Sequence, residues 1–285
     1  MTHKRHHYVP VFLLRGWAGP DGAGIRFCWR NGGVKAEECS PRSVCFQEHL
    51  YSVRSSAGEM DASIERDFWG PSVDDPAALV HAKMLTEGVC PLTAHEREVW
   101  SRFLVAQLLR VPRAVSYIRA RGVDILKGVS ASDGGHRPLP DGEVEELGPW
   151  GLTWAEMLNP LSPEDLGVLT LPSLVYSDVL NAPCLAARWE VRDLSRSPVR
   201  LVLGDVPLFY AGRLDRDFLL VLPLGPHSVF CAYSSPATQE RLARVTDHGL
   251  VKLINRQTCE QAALWVYGAD SSLRPLVERR LRRPT

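Results

Sequence analysis

The stretch that decides the fold reads LTAHEREVWSRFLVAQLLRVP and occupies residues 92–112. Thr93 followed by Glu96 is the pattern of a capping box, in which two residues satisfy each other's backbone N–H groups at the start of a helix. Beyond this cap, apolar residues recur at helical spacing until Pro112, which cannot continue a helix. We therefore predict a core helix over 93–111.

On the N-terminal side of this helix, the sequence predicts a hairpin and a first helix. The run IRFCWR alternates apolar and polar residues as a half-buried strand does, and Asn31–Gly32 after it favours a hairpin turn. In EMDASIERDFW, the residues Met60, Ile64 and Phe68 recur at a spacing of four, which predicts a helix. We expect an N-terminal β-hairpin region followed by central helices.

On the C-terminal side, the sequence predicts an antiparallel sheet. Four β-rich runs, LAARWEVRD, PVRLVLG, DFLLVLPL and HSVFCAY, are separated by turn residues. QTCEQAALWVYG then returns to helical spacing through Cys259, Ala262, Ala263 and Val266, and so predicts a closing helix. Because the strands and helices are segregated and show no βαβ alternation, we predict an α+β fold.

The length of 285 residues suits one large domain, and we predict a single α+β domain over 1–285. The segment 128–151 is rich in glycine, proline, serine and acidic residues, and we interpret it as a mobile insertion. The C-terminal run VERRLRRPT carries four arginines; we interpret it as a frayed, solvated end, with phosphate contact as the alternative.

Composition narrows the classes of protein. Lys+Arg and Asp+Glu both number 33, so net charge gives no long-range attraction to an anionic polymer. The 7 cysteines have irregular spacings and no CxxC pair, which indicates reduced thiols and a cytoplasmic location. We recognise no signal peptide, and no apolar stretch approaches the roughly 18 residues of a transmembrane helix, so we expect no membrane association.

The common catalytic fingerprints are missing from the sequence. It contains no GxxxxGK[ST], no GxGxxG after a strand, no GxSxG and no HExxH. These absences disfavour the common nucleoside triphosphatases, dehydrogenases, α/β-hydrolases and zincins.

The histidine pair His6–His7 is the first candidate for chemistry. Neighbouring side chains of a strand point to opposite faces, so only one of the two is expected to enter a given site. A neutral imidazole, with an ordinary pKa of about 6.5, suits a metal ligand or a general base. The alternative is a capping or surface histidine ahead of the core segment YVPVFLL.

Two acidic residues and two arginines complete the candidate set, each with a structural alternative. Asp205 lies where a β-rich run ends and suits a ligand, although an aspartate in that position can also cap a turn. Glu65 either faces inward as a ligand or pairs at the surface. Arg110 and Arg113 either bind a phosphate or carboxylate, or satisfy the last carbonyls of their helix.

Several motifs, in order along the chain, resemble the bacterial family called domain of unknown function 4238. They are HKRHHYVPVFLLRGWA, SIERDF, LTAHEREVWSRFLVAQLLRVPR, GDVPLFY, FLLVLPLGPHSVF and LINRQTCEQAALWVYG, and the opening His-His-Tyr-Val-Pro is the most specific of them. The resemblance implies a grouping and a set of positions rather than a mechanism.

The positions implied by the resemblance coincide with the candidates above. They are His6, His7 and Pro10, Glu65, Arg110, Pro112 and Arg113, and Asp205 with Pro207. The chain departs from the family pattern in having Gly204 and Val206 where the family shows serine and asparagine, which puts any chemistry of those two polar groups in doubt.

These residues support three hypotheses. In the first, His7, Glu65 and Asp205 bind a divalent metal (Mn, Mg, Zn or Fe), and Arg110 or Arg113 stabilises negative charge. This gives a metal-dependent hydrolase of phosphodiesterase or nuclease type, with bacterial defence as its hypothesised context. The second is a non-catalytic binding or regulatory module in which the same residues are structural. The third is a biosynthetic enzyme that acts on a small molecule. The expected partner is accordingly a small molecule or a nucleic acid.

Overall fold

The computed structural model of this protein describes residues 4–54, 59–121, 163–213 and 216–283. The insertion predicted at 128–151 lies outside the described residues. Within them the fold is α+β, as predicted, with antiparallel sheets and a group of packed helices.

The strands are short and all the pairings between them are antiparallel. They are β1 Arg5–His7, β2 Gly24–Arg30, β3 Gly33–Cys39, β4 Phe46–Glu48, β5 Val53–Arg54, β6 Met60–Asp61, β7 Arg188–Asp193, β8 Leu203–Gly204, β9 Phe209–Gly212, β10 Phe218–Gly225, β11 Ser228–Tyr233 and β12 Trp265–Gly268.

The helices are concentrated in the middle of the chain. A π-helix covers Ile64–Asp74, and the α-helices are α1 Val11–Leu14, α2 Asp75–Glu87, α3 Ala94–Leu109, α4 Pro112–Ala120, α5 Pro163–Leu169, α6 Leu171–Tyr176, α7 Asp178–Ala186, α8 Pro236–Arg244, α9 Asp247–Gln261 and α10 Arg274–Arg280. Short 3₁₀ turns occupy Arg15–Trp17, Pro41–Ser43 and Ser271–Leu273.

Two four-stranded sheets carry most of the β-structure. One has the order β7-β11-β10-β9 and contains three of the four predicted β-rich runs; its edge strand is β9, and the run PVRLVLG instead supplies β8 to the other sheet. The other has the order β3-β2-β12-β8, so it joins the N-terminal hairpin to strands from the end of the chain. In that hairpin Asn31 and Gly32 both have positive φ (52° and 79°), as a two-residue hairpin turn requires.

The long helix begins as its sequence predicts. The Glu96 N–H donates to Thr93 Oγ1 at 3.2 Å, and the Thr93 N–H donates to Glu96 Oε2 at 2.7 Å. Trp100, Phe103 and Leu104 on this helix have no solvent exposure. The helix therefore forms part of a hydrophobic core that extends from the N-terminal segment to β12.

The predicted closing helix is wrong in its position. Helix α9 ends at Gln261, and Trp265–Gly268 is a strand that pairs with both β2 and β8. The helical spacing through Val266 is a local coincidence, because a four-residue strand is defined by partners far away in sequence. The helix that closes the described chain is α10, where Arg280 contacts Glu260 at 3.3 Å.

The first predicted helix also differs from expectation. Met60 belongs to the short strand β6 and is 42% exposed, and the helix begins only at Ile64. It is a π-helix with Pro71 inside it. In an α-helix that proline would clash with the carbonyl four residues earlier.

One described stretch, Asp165–Ala186, is long and apolar enough to cross a membrane by length and composition, with a mean hydropathy of 1.2. The structure divides it into α5, α6 and α7, and the last two pack against α3. Core helices of soluble proteins pass the same test, so this stretch is only a weak indication of a membrane span.

Candidate functional site

A cavity of about 460 Å³, lined by charged and apolar side chains, lies beside the N-terminal segment. Its volume falls in the range of small-molecule sites, roughly 300–1,000 Å³. Six titratable side chains are among those that line it, namely His7, Arg15, Arg42, Glu65, Asp74 and Asp75. We call it the His7–Glu65 cavity, after the two predicted site residues that it brings together.

The π-helix positions two of these carboxylates. Glu65 and Asp74 are nine positions apart, which is two and a half turns of an α-helix at about 3.6 residues per turn, and would place them on opposite sides. Hydrogen bonds of the i→i+5 type widen each turn, so nine positions come close to two full turns. Both side chains consequently line the same cavity.

Arg110 lies behind the cavity and contacts two of the residues that line it, Asp74 and His7. It is fully buried, and its guanidinium donates to Asp74 Oδ1 and Oδ2 at 2.6 and 3.1 Å. Nη2 also donates to the His7 carbonyl at 2.7 Å, and the guanidinium lies over the Trp69 ring, 4.8 Å from its centroid. The anion that Arg110 binds is therefore a carboxylate of the protein itself, rather than a bound phosphate or carboxylate ligand. Arg110 positions the residues of the cavity wall.

Glu65 is only partly satisfied. Its Oε1 accepts a hydrogen bond from the His7 backbone N–H at 3.3 Å, whereas its Oε2 is buried without a hydrogen-bond partner among the described residues. Burial raises the pKa of Glu65 to about 7, although the positive charge of Arg110 opposes this. The carboxyl therefore exchanges its proton near neutral pH.

The two predicted histidines have separate surroundings. The His7 ring Nε2 lies 3.2 Å from the Arg42 carbonyl, which can only accept, so we assign the proton to Nε2 and the lone pair to Nδ1. Burial lowers the pKa of His7 and favours this neutral form. His6 is fully buried, and its Nδ1 accepts the Tyr51 N–H at 3.0 Å, which makes it structural.

Asp205 is not part of this cavity. Its Oδ1 accepts the Ala263 N–H at 2.8 Å, and its Oδ2 accepts the N–H groups of Leu264 and Trp265 at 2.6 and 3.2 Å. It is 2% exposed, and it caps the turn between α9 and β12, which was the structural alternative. A separate cavity of about 200 Å³ beside it is also lined by the exposed Arg113.

The predicted metal ligands are consequently not assembled as a set. Within the ranges that the structure describes, no three histidine, cysteine, aspartate or glutamate side chains are grouped so that they could hold a metal ion. His7 and Glu65 share one cavity, while Asp205 has both oxygens engaged by backbone N–H groups elsewhere. Metal binding stays a prediction.

Sequence reasoning missed Asp74, Arg15 and Arg42. Asp74 carried a usable signal, because Gly70–Pro71 inside a helical pattern warns that the ordinary helical spacing fails there. The two arginines had no such signal. They reach the cavity from a turn after α1 and from the Pro41–Ser43 turn, and only the tertiary fold brings these two turns together.

Fold and site together define an α+β protein with a small-molecule-sized cavity, lined by several charged side chains, beside an N-terminal histidine pair. Residues 5–146 match the family described as Protein of unknown function (DUF4238), and the chain belongs to this family. The match contains the His7–Glu65 cavity and Arg110 but not Asp205. No curated protein and no solved structure matches the chain.

Proposed function

We propose that this protein is a hydrolase of small ester substrates and that the His7–Glu65 cavity is its active site. The observation that carries the proposal is the buried Glu65 Oε2, which has no hydrogen-bond partner in the described part of the chain. A buried polar atom without a partner is costly and calls for an explanation, and a catalytic role is one of the established explanations.

The surroundings of Glu65 support a role as general base. Arg110, the nearest cation, is occupied by Asp74 and the His7 carbonyl, so it does not hold Glu65 in a simple ion pair. A base is most effective when its pKa lies near the working pH. The value of about 7 for Glu65 meets that condition.

In the proposed reaction, the Glu65 carboxylate takes a proton from water as the water oxygen attacks the carbonyl or phosphoryl centre of the ester. The bond from that centre to the leaving oxygen then breaks, and the leaving oxygen takes the proton back from Glu65. Neutral His7 offers a second site of proton exchange in the same cavity. No step of this scheme requires a metal, so the metal-dependent form predicted from the sequence is distinguishable by experiment.

The test compares the wild-type protein with Glu65→Gln and with the control Glu87→Gln, which removes an exposed carboxylate at the end of α2. The substrates are 4-nitrophenyl acetate, 4-nitrophenyl phosphate and bis(4-nitrophenyl) phosphate, each with EDTA and with added Mn, Mg, Zn or Fe(II). We expect turnover of at least one substrate in EDTA, a loss of about 100-fold or more in Glu65→Gln, and no loss in the control.

Equal rates in wild type and Glu65→Gln, or no turnover above buffer, would contradict the proposal. Turnover that stops in EDTA and returns with one metal would support the metal-dependent hydrolase instead. The absence of turnover would favour the binding module, which already accounts for the structural roles of His6 and Asp205.

A further inference from the structure

Two arginines at the His7–Glu65 cavity are exposed and unused by the fold. Arg15 and Arg42 both line the cavity. Across the ranges that the structure describes, neither guanidinium makes an ion pair or a hydrogen bond. They differ in this from Arg110, whose guanidinium binds protein groups. Their donors are thus available to a ligand.

The backbones that carry these arginines are held in place. Arg15 begins the 3₁₀ turn that follows α1, and Arg42 lies in the Pro41–Ser43 turn, against which α1 packs. The carbonyl of Arg42 contacts the His7 ring nitrogen. Fixed backbones under two free guanidinium groups lower the entropy that a ligand must overcome when it orders them.

The balance of charge in the cavity favours an anion. The carboxylate of Asp74 is neutralised by its contact with Arg110, which leaves the exposed Asp75 as the lasting negative charge against two arginines. Glu65 adds a second negative charge only when it is ionised. With Glu65 protonated, the cavity has a surplus of positive charge and an O–H donor beside it.

We infer that the His7–Glu65 cavity binds a ligand that carries an oxyanion group, either a carboxylate or a phosphate, between Arg15 and Arg42. Guanidinium groups bind both anions through paired N–H donors. The inference rests on the proposed function for the location of the site, and it adds the chemical class of the substrate: an ester that also bears an anionic group, or a phosphoester.

The arrangement also gives the expected dependence on pH. The groups that face Glu65 are His7 from β1, Arg110 at the end of α3 and Asp74 on its own π-helix. Arg110 and Asp74 form an ion pair, and burial lowers the pKa of His7 and so favours its neutral form. Glu65, with a pKa of about 7, is the group whose charge changes near neutral pH. Anion binding therefore strengthens as Glu65 becomes protonated, that is, as the pH falls through about 7.

The test measures the binding of inorganic phosphate and of acetate to the full chain by calorimetric titration. The variants are the double substitution Arg15→Gln/Arg42→Gln and the charge-matched control Arg196→Gln/Arg279→Gln, two exposed arginines that do not line the cavity. We expect wild type and control to bind with equal affinity and the cavity variant to bind at least tenfold more weakly. The probe with the higher affinity tells a phosphate site from a carboxylate site.

The dependence on pH is tested with acetate, because acetate stays ionised between about pH 6 and pH 8. We expect acetate to bind more tightly at the lower pH in wild type and to show no such change in Glu65→Gln. Because Glu65→Gln lacks the proposed base but keeps both arginines, it should still bind the anion while losing turnover.

Three results are decisive. If neither phosphate nor acetate binds, or if wild type and the cavity variant bind equally, the inference is wrong. Neither result bears on the hydrolase proposal, which the ester assay tests separately. Binding that depends on Arg15 and Arg42 without any ester turnover would support the oxyanion site and contradict the hydrolase.

Discussion

Glu65 and Asp205 are both buried carboxylates, and burial raises the pKa of each, to about 7 and about 6. Their surroundings differ completely. Three backbone N–H groups donate to Asp205, whereas one donates to Glu65 and leaves Oε2 without a partner in the described chain. Neither burial nor a shifted pKa therefore separates a site from a scaffold. The two carboxylates differ instead in the hydrogen bonds that they accept, and Glu65, which accepts fewer, is the one that we propose as a functional group.

The largest expected effect comes from removing the arginine that supports the cavity. Arg110→Met leaves Asp74 without its partner, and we expect a loss of about 3–5 kcal/mol in the free energy of unfolding, measured by urea denaturation. The control is Arg113→Met, at the exposed arginine on the other side of Val111–Pro112, for which we expect a change within about 0.5 kcal/mol. Similar losses in the two variants would contradict the buried role of Arg110.

The second prediction concerns the scaffold carboxylate. Asp205→Ala leaves the N–H groups of Ala263, Leu264 and Trp265 without their acceptor, so we expect a loss of about 2–3 kcal/mol. Hydrogen exchange should become faster in β12, which follows this turn. Full stability in this variant would remove the contrast between the two carboxylates.

Unlike the two substitutions above, Glu65→Gln should increase the free energy of unfolding. The pKa of Glu65 is raised in the folded state, so the folded protein is most stable while Glu65 is protonated. This stability is lost as the pH rises from the ordinary pKa of a glutamate towards the folded-state pKa of about 7. We expect the variant to be more stable than wild type at pH 8 by about 2 kcal/mol, and nearly equal to it at pH 5. Denaturation at the two pH values measures the difference. A variant less stable than wild type at pH 8 would show that Glu65 is also a scaffold residue.

The last prediction is that a substitution at Asp205 has no effect on metal content. If the purified protein holds a divalent metal, Asp205→Asn should retain it, because the carboxylate is engaged by backbone N–H groups. The double variant His7→Ala/Glu65→Gln should lose it. Elemental analysis of folded, chelator-free protein decides this. Loss of metal in Asp205→Asn alone would restore the three-residue metal site predicted from the sequence.

What the sequence predicts well is local. The capping box at Thr93 and Glu96 and the turn at Asn31–Gly32 are specified within a few residues, and the structure contains both. The prediction for the segment of β12 is wrong because its four residues become a strand only by pairing with β2, more than two hundred positions away. Local helical spacing carries no information about that partner.

The candidate site divides along the same line. Glu65 and His7 were identified by residue type and position, but their convergence depends on the tertiary fold. Asp74 was missed because a regular helical repeat puts it on the opposite side from Glu65, whereas the structure has a π-helix over this segment. For Asp205 the sequence leaves a ligand and a turn cap as alternatives, because a strand-end carboxylate looks the same in both roles; the structure shows the turn cap.

The sheet that joins β2 to β12 has a consequence for how the molecule is made. β2 gains its second neighbour only after residues 265–268 have left the ribosome, more than two hundred residues after β2 itself. Until then one edge of the N-terminal hairpin is open, and open strand edges invite association between chains. The sheet that contains β2, which lies in the segment matched by the family (residues 5–146), is therefore complete only after β12 has been synthesised.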